Sequence, residues 1–136
     1  MQDESQGAFK RRLRKYLSEM ERAQPLHAQG HRVSGGRCHL DAETFELLTR
    51  HFKRGKYSKG IMEGFVRVIG VTSSADLQRS SNAAKLLRSE KGGHIVQVSA
   101  FKNEMDEVKK AAALADLTVP ALLEACTYLF VRVGLH

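Results

Sequence analysis

From Ile95 to Ala100 apolar and polar positions alternate, with Val96, Val98 and Ala100 on one side and Ile95, Gln97 and Ser99 on the other. That is the period of a half-buried strand. The period then lengthens. Met105, Val108, Ala112 and Ala115 recur at helical spacing, with Asn103 placed to cap and Glu104, Asp106 and Glu107 in the first turn, where carboxylates suit the helix dipole. The pattern breaks at Asp116-Leu117-Thr118. Thr118 is a second N-cap, ahead of a helix that tolerates Pro120 in its first turn, turns Leu122, Leu123, Cys126, Leu129, Phe130 and Val133 inward, and ends at Gly134. The stretch 94–134 therefore reads as strand, helix, tight turn, helix. A lone strand has no partner for its backbone groups, and two short helices bury too little apolar surface, so this unit needs a second copy.

An earlier stretch has the same order of parts. Arg37-Cys38-His39-Leu40-Asp41 alternates after Gly35-Gly36, as Gly92-Gly93 precedes the later strand. Asp41 is placed to cap a helix whose face is Phe45, Leu48 and Phe52, with Gly55 at its end. Ser58-Lys59-Gly60 starts another, with Ile61, Phe65, Val68 and Ile69 inward and Gly70 closing it. Leu40 to Ser58 spans 18 positions and Val98 to Thr118 spans 20, so the halves match apart from a small insertion after the second strand. Between them, Ala75–Ser89 reads as a helix with Leu77, Ala84 and Leu87 on one side and Arg79, Lys85 and Arg88 exposed. Such a connection carries the chain back so that the second strand lies antiparallel to the first.

Both halves resemble the ribbon-helix-helix unit of small DNA-binding proteins, in which two strands pair antiparallel across a dimer. The resemblance covers Arg37–Ile69 and Ile95–Val133, and its motif is a pattern of residue classes. A second half opening on Ile-Val-Gln is similar to the single-chain tandem form found in T-DNA transfer accessory proteins. The resemblance implies a mainly α fold with one two-stranded antiparallel ribbon, a tandem ribbon-helix-helix pseudo-dimer in one chain. Its repeats would be 37–70 and 94–136, joined by a connector over 71–93 and preceded by a basic arm and linker over 1–36.

Composition narrows the partner. The net charge is +7, and residues 1–36 and 37–70 each hold seven basic and four acidic residues, whereas 94–136 hold four and five. A basic chain of this kind usually meets a polyanion, with nucleic acid the default and a solubilising surface charge the competing reading. The apolar runs are too short to span a bilayer and the start MQDESQ has no signal-peptide character, so the expected location is the cytoplasm, with no membrane partner. Cys38 and Cys126 fall on inward faces and read as buried free thiols, with a disulfide between them the weaker alternative. Ala8–Glu21 reads as a basic helix with the stripe Phe9, Leu13, Tyr16, Leu17 and Met20. It is either docked on the domain or an arm that folds on DNA, in both cases adding nonspecific phosphate contacts, with a membrane-surface helix the last choice because the stripe is narrow and lacks Trp. Gln24–Gly36, holding Pro25 and three glycines before Arg37, reads as a linker. His27 and His31 have a metal-ligand spacing only on a helix, which Pro25 and Gly30 oppose, and no second cysteine pair joins Cys38 and His39 to complete a site, so neither metal nor cofactor is expected. No catalytic motif is present, and no histidine cluster accompanies Tyr16, Tyr57 or Tyr128, so the expectation is a protein that is not an enzyme.

The chemistry expected of the ribbon follows from its outward residues. A two-stranded ribbon fits the major groove, where Arg37 reaches guanine O6/N7, Gln97 pairs with adenine N6/N7 and Ser99 serves either role. The family's base-reading positions are outward strand residues, which implies base contacts by Arg37, His39, Gln97 and Ser99. Ile95 departs from the usual polar choice, and either touches a thymine methyl group or packs at the end of the ribbon. The N-terminus of each second helix suits a phosphate. That assigns phosphate contacts to Ser58, Lys59 and Gly60 in the first half and to Thr118 in the second, with Lys53, Arg54 and Lys56 strengthening the first. The expected partner is double-stranded DNA, bound by a monomer acting as a pseudo-dimer and extended by cooperative oligomers on DNA. Resemblance implies plasmid biology, as a conjugation accessory factor or a transcriptional repressor. A protein-interaction scaffold for a relaxase or partition ATPase is the reading from a different class.

Overall fold

The structure is a computed structural model, and it describes Arg11 and residues 32–134. Along these residues the order is β1 (Arg32–Asp41), α1 (Ala42–His51), α2 (Tyr57–Ile69), α3 (Ser74–Lys91), β2 (Gly93–Phe101), α4 (Lys102–Ala115) and α5 (Val119–Tyr128), which runs into a π-helical turn over Leu129–Val133. The fold is mainly helical, with one two-stranded antiparallel sheet. Of the helix expected over Ala8–Glu21 only Arg11 is described, helical and exposed, and His27 and His31 lie outside the described residues.

The two strands of one chain pair with each other. Arg37 lies opposite Gln97, Cys38 opposite Val96 and His39 opposite Ile95. As alternation requires, Cys38, Leu40, Val96, Val98 and Ala100 are buried, and they share one cluster with Leu48, Phe65, Val108 and Leu122. Around them α5 packs against α2, α3 and β1, while α2 packs against β2. Both cysteines are free and buried.

The first strand corrects the expected linker. β1 starts at Arg32, not at Arg37, and Arg32–Gly36 belongs to the sheet. The glycine pair that reads as a breaker is a β-bulge: Ser34 faces Ser99 and Gly36 faces Val98, leaving Gly35 as the extra residue. A Cβ on Gly35 would collide with the Met105 terminal methyl, and Gly36 holds φ of +90°. Glycine is here because the backbone bends into the core, not because the chain is loose.

Helix starts follow the expected pattern in part. Asp41 caps α1, accepting from the Thr44 N–H at 3.1 Å and the Thr44 hydroxyl at 2.6 Å. Thr118 caps α5 by accepting from the Ala121 N–H at 3.2 Å. Asn103 does not cap α4. That helix begins at Lys102, and Glu104 reaches back to accept the Phe101 N–H at 3.0 Å, so an acid expected to suit the dipole also satisfies the orphan amide before it. The connector helix is as expected but longer, with Ser73 as its cap. At the C-terminal end the π-helical turn puts one more residue into the turn than an α-helix does, which rotates Val133 out of its expected inward position to 60% exposure. Gly134 then ends the helix in the left-handed region.

Candidate nucleic-acid interface

The outward face of the ribbon carries the residues expected to read bases. Arg37, His39 and Gln97 are exposed there, and Arg37 and Gln97 are direct cross-strand partners. Ser99 shares the face but is half-buried. Its hydroxyl accepts from the Arg32 guanidinium at 3.3 Å, and its carbonyl accepts from the same group at 3.0 Å. The bulge keeps the start of β1 in phase with the rest, so Arg32 and Ser34 also belong to the outward row, with Arg32 lying 5.2 Å from the Phe101 ring centroid. Reading Arg32–Gly36 as linker hid both residues. The signal that would have found them is the alternation Arg32-Val33-Ser34, with polar residues flanking an apolar one.

The start of α2 is built differently from the expectation. Ser58 does not cap it. The helix begins at Tyr57 behind Lys56, without a side-chain cap, and the Ser58 hydroxyl instead donates to the Ser99 carbonyl and accepts the Ser99 N–H, each at 2.8 Å. These are the backbone groups on the side of β2 away from β1, so Ser58 closes an open sheet edge. Gly60 is not a phosphate cradle either. It is buried, its N–H donates to the Lys56 carbonyl at 3.0 Å, and a Cβ there would stand 2.7 Å from the Phe52 ring. Its smallness serves the packing of α2 on α1. What remains open to solvent is Lys59 with Lys53, Arg54 and Lys56, all exposed. A recess of about 600 Å³ lies between this helix start and the ribbon, lined among others by Arg32, Lys56, Lys59, Ser99 and Phe101. Cations from both elements thus border one hollow.

The other second-helix start is less charged. Thr118 is exposed and Val119 and Pro120 follow it, with Pro120 close enough that a Cβ on Gly36 would meet its ring at 3.3 Å. The two second helices therefore begin beside the two strands, one flanked by lysines and arginine and the other by apolar residues.

Arg88 and Glu124 were not legible as a pair. Arg88, expected to be exposed, has a side chain only 18% exposed and donates to Glu124 Oε1 at 2.6 Å and to the His39 carbonyl at 2.8 Å. Glu124 Oε2 accepts the His39 N–H at 2.9 Å. Burial pushes the Cys38 thiol up to about 12, and the Glu124 carboxylate adds to that shift, so this thiol is not a nucleophile at neutral pH. Burial likewise raises the Cys126 thiol, helped by Cys38.

No protein-family model, curated protein or solved structure matches the chain.

Proposed function

We propose that this chain binds double-stranded DNA sequence-selectively by laying the β1–β2 ribbon in the major groove, as a ribbon-helix-helix pseudo-dimer folded from one polypeptide. The observation that carries this is Arg37 opposite Gln97, exposed at the middle of a two-stranded ribbon whose other face is core. Guanidinium and carboxamide are the side chains that pair bidentately with guanine and adenine, and a two-stranded ribbon has the width of that groove.

Internal correspondence supports the pseudo-dimer. The pairing of Arg37 with Gln97 shifts the match of the two strands by two positions, from Leu40 with Val98 to Leu40 with Ala100, and the same offset of 60 relates Arg37 to Gln97 and His39 to Ser99. It also relates Asp41 to Phe101, the residues that precede α1 and α4. His39 and Ser99 each have their outward backbone groups closed by side chains from the helical layer. The lysines near the start of α2 supply phosphate contacts that the start of α5 lacks, so the two halves grip unequally. With Arg37 and His39 on one strand and Gln97 and Ser99 on the other, one protomer prefers a site that is not a palindrome.

Selection from a random duplex library with the full chain tests the reading. One enriched non-palindromic site is expected. Arg37→Ala and Gln97→Ala should each relax the preference at one base pair and weaken binding by about 5- to 150-fold. A chain that enriches no sequence, or variants that enrich the same site with equal affinity, would overturn it in favour of a protein-interaction scaffold for a relaxase or partition ATPase. The resemblance gives two settings, marking of a transfer origin and repression of the chain's own promoter. Footprinting on both DNAs separates them.

A further inference from the structure

Five large hydrophobic side chains are exposed among the described residues, and four of them, Val66, Val71, Leu86 and Val133, sit on helices or turns. Ile95 is the one in a strand. It is 61% exposed on the outward face of the ribbon, directly opposite His39 and two positions from Gln97 along β2. Cross-strand partners of this kind hold their Cβ atoms about 5 Å apart, so the imidazole and the branched alkyl group rise from neighbouring points of the same face. In the major groove an alkyl group cannot satisfy a base's donor or acceptor, and leaving such a group covered but unpaired is costly. The groove offers one apolar feature, the thymine C5-methyl group, and beside it on the same base lies the O4 acceptor. An N–H donor next to an alkyl surface matches that edge.

We infer that His39 and Ile95 act as one thymine-reading pair, Ile95 covering the C5-methyl group and His39 donating to O4. This rests on the DNA-binding reading above and adds the base to it. The experiment starts from the selected site and replaces each thymine in turn by deoxyuridine, which removes the methyl group and keeps O4. At one thymine the wild-type chain should lose about fourfold in affinity, the worth of one buried methyl group. Ile95→Ala should bind the unmodified site about as weakly and show no further loss on the uracil duplex, whereas Ile95→Val should keep the uracil sensitivity. His39→Ala should weaken binding to the thymine and uracil duplexes alike. Thermal melts of the variants establish that each is folded, which the exposure of both side chains favours. A selected site at which every thymine tolerates uracil, or uracil sensitivity unchanged in Ile95→Ala, overturns this inference and leaves DNA binding standing. A chain that selects no site overturns both.

Discussion

Arg88 of α3 and Glu124 of α5 meet at 2.6 Å beside His39, and each also bonds to that residue's backbone. The connector helix thus completes the edge of β1. Because Glu124 is buried, removing one member strands a charge and frees the His39 N–H or carbonyl. Glu124→Ala or Arg88→Ala should cost about 3–5 kcal/mol in urea unfolding, and the apolar double replacement Arg88→Met/Glu124→Leu should cost less than either. Equal and additive losses would mean the pair is not coupled.

Ser58 performs the matching task for β2 with a neutral hydroxyl. Ser58→Ala leaves both Ser99 backbone groups without that partner, and a loss of about 1–3 kcal/mol is expected in the same measurement. On the proposed DNA-binding reading it should leave the salt dependence of affinity for duplex DNA unchanged, since the Ser58 hydroxyl is engaged by the Ser99 backbone.

Gly60 lies against Phe52 with no room for a methyl group. Gly60→Ala should destabilise by about 1–3 kcal/mol through overpacking. Combining it with Phe52→Leu should return part of that loss, whereas an undiminished penalty in the double variant would point to the helix backbone instead.

Exposed cations should set the salt response. Affinity should fall steeply with salt, and Lys53→Gln, Arg54→Gln, Lys56→Gln and Lys59→Gln should each flatten the log–log slope by about one wherever the side chain meets a phosphate. Titrations from low to high salt read this directly. A flat series for the wild-type chain would contradict the polyanion reading.

The thiols give a pH prediction. Cys38 ionises near 12 in the folded protein and near 9 when unfolded, so below pH 9 both states keep the proton and stability is unaffected by it. Between about 9 and 12 the unfolded chain loses the proton first, and stability falls as pH rises. At pH 8 the thiol should resist iodoacetamide until urea unfolds the chain. Rapid labelling of folded protein would show that Cys38 is reached from solvent.

Regular periodicity was legible in the sequence, and irregular geometry was not. The alternation through Val96, Val98 and Ala100 located β2 and its buried face, and the helical spacing of Ile61, Phe65, Val68 and Ile69 located the buried face of α2. Asp41 and Thr118 were readable because a short polar side chain before an apolar helix has one dominant use. Ser58 has the same residue type but sits where a strand edge competes for its hydroxyl, which only the three-dimensional neighbourhood reveals. Gly35 and Gly36 carry the same letters in a linker as in a bulge. Val133 failed for a third reason, since a π-helical turn resets the phase that an α-helical projection assumes. On the ribbon, the strand pattern was enough to propose Arg37, His39 and Gln97 as outward. Arg32 and Ser34 required the bulge.

That bulge has a wider consequence for how such a surface can change. Arg32 and Ser34 both lie an odd number of positions before Arg37, which plain alternation would place on the opposite side, and the surplus residue at Gly35 is what brings the two groups back onto one side. Drawing Gly35 into the ladder would send the arginine and serine toward the hydrophobic interior. Deleting it would leave a plain zigzag with every polar group still facing solvent. A single-codon loss is therefore the gentler of the two alterations, and it would straighten the ribbon without rewriting a residue on its exposed side.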